Sequence, residues 1–112
     1  MKRIEAIIRP EKVQAVKQAL IDMGEAGLTV YEVQGHGIQK GIREQWRGQE
    51  ISADLLPKAA LVVVVNYFAV QDVVDVITHT ARTNRMGDGK IFVTPVEQVI
   101  RVRTGETDSE AL

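Results

Sequence analysis

An α+β domain of the ferredoxin-like, split βαβ kind is predicted by three observations. Two amphipathic helical stretches each lie between strand-like runs, so the strand-helix-strand unit occurs twice along the chain. A continuous β-branched run, Leu61-Val62-Val63-Val64-Val65, marks a central strand covered on both faces. A long glycine-broken and charged stretch separates the two units. In order, Ile4, Ala6 and Ile8 alternate with Arg3, Glu5 and Ile7, which predicts a strand over 2–8. Pro10 then opens a helix over 11–23, since a missing N–H does no harm in the first turn. Val13, Val16, Leu20 and Met23 share one face of it, and Gly24 stops it. The run 28–34, rich in Thr, Val and Tyr, is the second strand.

Residues 35–57 keep no apolar period: Gly35, Gly37, Gly41 and Gly48 interrupt them and Pro57 closes them. A structureless loop of about 20 residues inside a compact domain is uncommon and usually functional. Strand character returns over 59–67. A second helix over 70–83 buries Val70, Val73, Val74, Ile77 and Ala81. After a glycine-rich turn come a short strand over 90–94, a bend at Pro95 and a final extended segment over 97–103. The acidic tail, 104–112, is expected to fray. Two helices cover one sheet face; with five aromatics in the chain and no third helix, another subunit is the economical cover for the other.

The chain has 112 residues and 12.4 kDa, enough for one domain, 1–112. Fourteen Lys and Arg against 15 Asp and Glu give a net charge of -1, with no overall pull towards nucleic acid or acidic membranes. The absence of cysteine excludes disulfides, thiol catalysis and thiolate metal sites, and two histidines are too few for a histidine-built zinc site. The longest apolar stretch, 59–65, falls far short of the roughly 20 residues of a membrane span. The N-terminal residues contain no signal-peptide core, so a cytoplasmic location is expected.

Several residues invite chemistry. In Gly87-Asp88-Gly89-Lys90 the glycines let backbone N–H groups approach a phosphate and Lys90 adds a charge. The stretch is not a P-loop, and taken alone it also reads as a surface turn. Arg101 and Arg103 alternate with Val102 and would emerge on one strand face, either around an anion or as charges guarding an edge. Lys58 follows Pro57 at the end of the long loop and by itself reads equally as a solvated lysine. His36 near a glycine turn reads as structural and His79 as solvated on the polar side of its helix. Glu44, Glu50 and Asp54 have no histidine or cysteine partner for a nucleophile system. Trp46, a large aromatic in a polar segment, favours contact with a partner.

Taken together, four stretches resemble the PII nitrogen-regulatory signal proteins. They are Met1 through Pro10; Gly35-His36-Gly37-Ile38-Gln39-Lys40-Gly41 with its return Leu56-Pro57-Lys58; Thr83-Asn84-Arg85-Met86-Gly87-Asp88-Gly89-Lys90-Ile91-Phe92-Val93; and Ile100-Arg101-Val102-Arg103-Thr104-Gly105-Glu106. The resemblance maps a T-loop onto 37–55, a B-loop onto 82–90 and a C-terminal segment onto 97–112. It implies a homotrimer with three clefts, each binding ATP or ADP. Gly87, Asp88, Gly89 and Lys90 would hold phosphates, with Arg101 and Arg103 reaching in from the neighbour. Thr29, Gly35, Gly37 and Val64 would surround base and ribose. With Mg2+ and ATP bound, Gln39 would complete the metal shell around 2-oxoglutarate and Lys58 would pair with its far carboxylate, which is sound chemistry for a hard cation and a dicarboxylate.

The chain departs from that family at defined places. In Trp46-Arg47-Gly48-Gln49-Glu50-Ile51 the tyrosine that accepts a nucleotidyl group is Ile51, and Gln49 replaces a serine phosphorylated in some members. Ser52 is the hydroxyl left beside it, so signalling through ligands alone is expected, with Trp46 and Ile51 as apolar partner contacts. Ile38 and Val62 stand where an arginine and a glutamate commonly approach the nucleotide, and Asn84 replaces a glycine, a mild change because Asn tolerates the left-handed region.

The leading expectation is therefore a non-enzymatic sensor of ATP, ADP and 2-oxoglutarate. It would control an enzyme, an ammonium transporter or a transcription factor through 37–55, meeting a membrane only through such a transporter and no nucleic acid directly. Two rivals stand beside it: a divergent nucleotide sensor deaf to 2-oxoglutarate, and a slow ATP-hydrolysing enzyme using the same cleft. Retention of Gln39 and Lys58 argues against the first, and the lack of a placed general base against the second.

Overall fold

The alternation of Ile4, Ala6 and Ile8 makes β1, Lys2–Ile8, the strand on which the domain is built. In the computed structural model, β1 is flanked on both sides within a four-stranded antiparallel sheet. The described residues are 1–25, 27–36, 43–46, 49–52 and 55–112, with the backbone alone described for 43–46 and 49–52. Along the chain follow α1 (Val13–Asp22), β2 (Leu28–Gly35), β3 (Arg43–Trp46), β4 (Gln49–Ser52), β5 (Leu56–Val65), α2 (Val70–Ala81) and β6 (Lys90–Pro95). The main sheet has the order β2-β5-β1-β6, the ferredoxin-like arrangement the sequence predicts.

Register fixes the two faces. Ile4 pairs with Val63 and Val93, and Ala6 with Leu61 and Ile91. These positions point towards the helices, where Val16 and Leu20 of α1 meet Val73 and Ile77 of α2 in one buried cluster. At about 25 cal/mol per Å² of apolar surface removed from water, this layer is the main stabilising term of the domain. The opposite face carries Arg3, Glu5, Ile7, Tyr31, Val62 and Phe92. Leu61, Val63 and Val65 are buried while Val62 and Val64 are only half-buried. Within one chain Val62 and Val64 are thus less covered than their neighbours on the helical side, while the small Ala60 is buried on the open face. On the open face the Tyr31 hydroxyl donates to Glu5 at 2.7 Å and Arg3 donates to the same carboxylate at 2.8 Å. These bonds, the Tyr31 one foremost, hold the Glu5 carboxyl below its ordinary value.

Several boundaries differ from expectation. The first helix begins as a 3-10 turn, Pro10–Lys12, before α1 proper. The second ends at Ala81 rather than at 83, because the Thr83 N–H and hydroxyl both go to Asp88 and the chain has already turned. The stretch 35–57 is not wholly structureless: β2 runs to Gly35, β5 starts at Leu56, and β3 pairs with β4 in register Arg43↔Ser52 through Trp46↔Gln49. The missing apolar period concealed these two short strands from the sequence reading.

The C-terminal segment corrects the sequence reading most. Residues 97–103 form no strand. Instead Ile100 bridges Thr107, Arg101 N–H donates to the Glu106 carbonyl at 2.8 Å, and Gly105 N–H returns to the Arg101 carbonyl. Gly105 at φ +72 and Asp108 at φ 56 make the reversal that an alternating Arg-Val-Arg pattern does not announce. The tail does not fray either: Asp108–Ala111 is a 3-10 turn, and Ser109 donates to Asn66 at the end of β5.

Candidate functional site

The site grows from the end of β1. Arg9, the residue after the strand, reaches back to the turn that precedes β6. Its Nη2 donates to the Met86 carbonyl at 2.6 Å and its Nε to Asp88 Oδ1 at 3.1 Å. Asp88 closes that turn from within, accepting from the N–H of Thr83 at 2.8 Å and of Asn84 at 3.0 Å, and from the Thr83 hydroxyl. Asn84 sits at φ 64, as its tolerance of the left-handed region predicts. Led by the Thr83 hydroxyl, these donors hold the Asp88 carboxyl far below the usual carboxylate range.

A depressed carboxyl stabilises the fold above its unfolded value of about 4, and that contribution drains as the pH falls towards the folded value. Asp88→Asn is therefore expected to lower stability near neutrality and to shrink the loss of stability on acidification. Chemical denaturation of both proteins at a series of pH values checks this, and identical pH profiles would contradict it.

Gly89, at φ +98, lies flat on β1: a Cβ there would stand 1.7 Å from the Ile7 carbonyl oxygen. Lys90 follows at once and pairs with Ile7 as β6 begins. From β5, Lys58 Nζ donates to the Gly87 carbonyl. Burial, and after it the Arg9 guanidinium, push the Lys58 ammonium below its ordinary value. Its stem passes over Gly35, where a Cβ would meet Lys58 Cγ at 3.3 Å. Beside it lies a cleft of about 270 Å³ lined by Arg9, Pro10, Glu11, Leu56, Pro57 and Lys58.

One end of the sheet thus gathers Gly35, Lys58 and the stretch Gly87-Asp88-Gly89-Lys90. Thr29 and Val64 stand at the other end, opposite Val62 and Arg3 respectively. Thr29 and Gly35 are six steps apart along β2, about 20 Å at 3.3 Å each, so one chain does not bring these residues to one point. Arg101 lies on the C-terminal reversal, where it approaches Glu106 at 3.5 Å and the Leu112 carbonyl at 3.3 Å. Arg103 is exposed on the same segment. It is a turn rather than a strand that presents them, which removes the argument from alternation. Gly37 and Gln39 lie outside the described residues. Trp46 and Ile51 stand on β3 and β4 by backbone pairing, and their side chains lie outside the description. His36 and His79 are both exposed.

Two site residues went unread in the sequence, Arg9 and Thr83. Thr83 stands five residues before Asp88, near enough for the carboxylate to close the turn, but this is not the two-residue spacing of an Asx turn and carried no sequence signal. Arg9 carried none, because its partners lie 77 and 79 residues away.

A model of the family described as Nitrogen regulatory protein P-II matches residues 1–106. The chain belongs to that P-II family. It is 53% identical over 112 residues, all of both chains, to the Nitrogen regulatory protein P-II of Nostoc punctiforme. It is 50% identical, again over the whole of both chains, to the proteins of that name from Synechocystis sp. and Azospirillum brasilense. Such P-II proteins are named as regulators, and the part this chain plays is in nitrogen regulation. Among the described residues no helix of this P-II chain is long and apolar enough to cross a membrane, and no group of three metal-ligating side chains occurs.

Proposed function

We propose that this P-II chain is a non-enzymatic sensor that binds ATP or ADP and, with Mg2+ and ATP, 2-oxoglutarate, and that it docks its nitrogen-metabolism target through residues 37–55. The observation that carries the reading is the gathering of a locked glycine loop, Lys90, Lys58 and Arg9 at one end of the sheet. Amides, two ammonium groups and a guanidinium suit phosphates and a dicarboxylate, and charge-assisted contacts of this kind are the strong ones. Gln39 would complete the metal shell, and Arg101 and Arg103 would come from a neighbouring subunit.

The homotrimer is supported by the open sheet face, where Tyr31 is 42% and Phe92 48% exposed in a single chain. A second chain on that face would also bring another chain's Thr29 and Val64 towards the loop, mending the separation of about 20 Å. Sedimentation is expected to give three times 12.4 kDa; a monomer overturns the assembly.

Calorimetry tests the ligands. Adenine nucleotide should bind the parent protein, and 2-oxoglutarate should give heat only when Mg2+ and ATP are both present. Binding of ATP without any response to millimolar 2-oxoglutarate would favour the divergent sensor. ATP turnover abolished by loop substitutions would favour the enzyme.

A further inference from the structure

Asp88 stands in a loop read as holding phosphates, yet a carboxylate facing a phosphate repels it. The geometry resolves this conflict. Both carboxylate oxygens are engaged, Oδ1 by Arg9 from the end of β1 and by the Thr83 hydroxyl, Oδ2 by the N–H groups of Thr83 and Asn84 within the turn. Arg85 N–H in turn donates to Thr83 Oγ1 at 3.2 Å, so the hydroxyl is held at both ends. Arg9 adds the Met86 carbonyl at 2.6 Å, and Gly89 rests against Ile7. The loop is therefore fixed to the end of β1 at three points, through Met86, Asp88 and Gly89.

We propose that Arg9, Thr83 and Asp88 act together as a positioning device for the phosphate loop: the Asp88 carboxylate touches no ligand, and the three side chains hold the loop so that its backbone and Lys90 meet the anion. The inference rests on the nucleotide reading above and assigns roles that reading lacks. The Asp88 carboxylate moves from ligand contact to internal brace, the Arg9 guanidinium from a cation offered to the ligand to a tie on the loop, and Thr83 gains a function. An anion site made of backbone amides depends on their direction, and a misplacement of about 1 Å can cost on the order of a hundredfold.

The test uses the full-length protein and the variants Arg9→Gln, Thr83→Val, Thr83→Ser and Asp88→Ala. ATP affinity measured with and without Mg2+ should fall about tenfold or more in Arg9→Gln, Thr83→Val and Asp88→Ala, about 1.4 kcal/mol or more. The fall should be the same with and without the metal, and Thr83→Ser should bind like the parent. Amide hydrogen exchange in ligand-free protein gives a readout independent of nucleotide. The amides of 84–90 should exchange faster in the three damaging variants, while those of β5 keep the parent rate as a control on folding. A loss confined to Asp88→Ala and to solutions containing Mg2+ would make Asp88 a metal ligand and overturn the proposal. Unchanged exchange across 84–90 would overturn it as well. Faster exchange in the variants, with no nucleotide bound by the parent, would support the brace and refute the nucleotide reading instead.

Discussion

Gly89→Ala is expected to be severely destabilising, with the tightest Cβ clash among Gly24, Gly27, Gly35, Gly89 and Gly105. The new Cβ would stand 1.7 Å from the Ile7 carbonyl oxygen and 2.8 Å from its carbon, both backbone atoms of β1 that cannot rotate away. The residue would also have to hold φ +98 with a side chain. Such backbone strain costs about 1–3 kcal/mol by itself. The collision adds to it, because β1 is paired on both sides and can yield only by opening its ladder with β6. A loss of at least about 3 kcal/mol is expected, large against the 5–15 kcal/mol of a typical domain. The protein has two ways to answer: unfolding more readily, or lifting the loop from β1. Urea denaturation measures the first and ATP binding the second. Parent-like stability together with parent-like affinity would show that the loop does not rest on β1 as described. Gly24, also at φ +97 but with nothing within 4 Å of a Cβ, is the natural comparison, since Gly24→Ala carries the strain without the collision.

The contrast between those two glycines shows what was legible in the sequence. Periodicity gave both helices and the four strands of the main sheet to within a few residues, because Val16 and Leu20, or Ile4 and Ala6, repeat at the spacing of the element that buries them. Gly24 was legible too, as a helix stop. Gly89 was legible as a residue suited to phosphate, but not as one pressed on Ile7, since no local pattern reports a contact across 82 positions. Arg9 was missed for the same reason. The C-terminal reversal failed differently. Arg101-Val102-Arg103 has the alternation of a strand, and what defeats it are Gly105 and Asp108 in the left-handed region, with Asp108 N–H and Val99 exchanging contacts across the turn. Alternation describes a strand only where a neighbour supplies hydrogen bonds, and Ile100 finds just the bridge to Thr107.

On the proposed reading, Lys58→Ala is expected to remove 2-oxoglutarate binding while leaving ATP affinity within a few-fold of the parent. The argument begins with the lysine as the fold holds it. Its stem runs over Gly35 and its ammonium donates to the Gly87 carbonyl, with Arg9 close enough to disfavour its charge. Burial and a like charge both raise the free energy of the ammonium, so an anion entering the adjoining cleft relieves both. A carboxylate is a better partner than a carbonyl, because the charge-assisted bond is roughly twice as strong. Truncating one partner of such a desolvated pair costs about 2–5 kcal/mol, or roughly 30-fold to several thousand-fold in affinity. Lys58→Arg keeps the charge but exchanges a compact ammonium for a wide fork beside Arg9, and it should recover only part of the binding. On the same reading ATP is held by the loop amides and Lys90 rather than by Lys58, so its affinity is spared apart from the effect of the freed Gly87 carbonyl. Calorimetry with Mg2+ and ATP at saturation, titrating 2-oxoglutarate into parent, Lys58→Ala and Lys58→Arg, decides the matter. A parent that binds and a Lys58→Ala protein that binds equally well would take Lys58 out of the site, whereas loss of ATP binding in that variant would make the Lys58–Gly87 contact a support of the nucleotide loop instead.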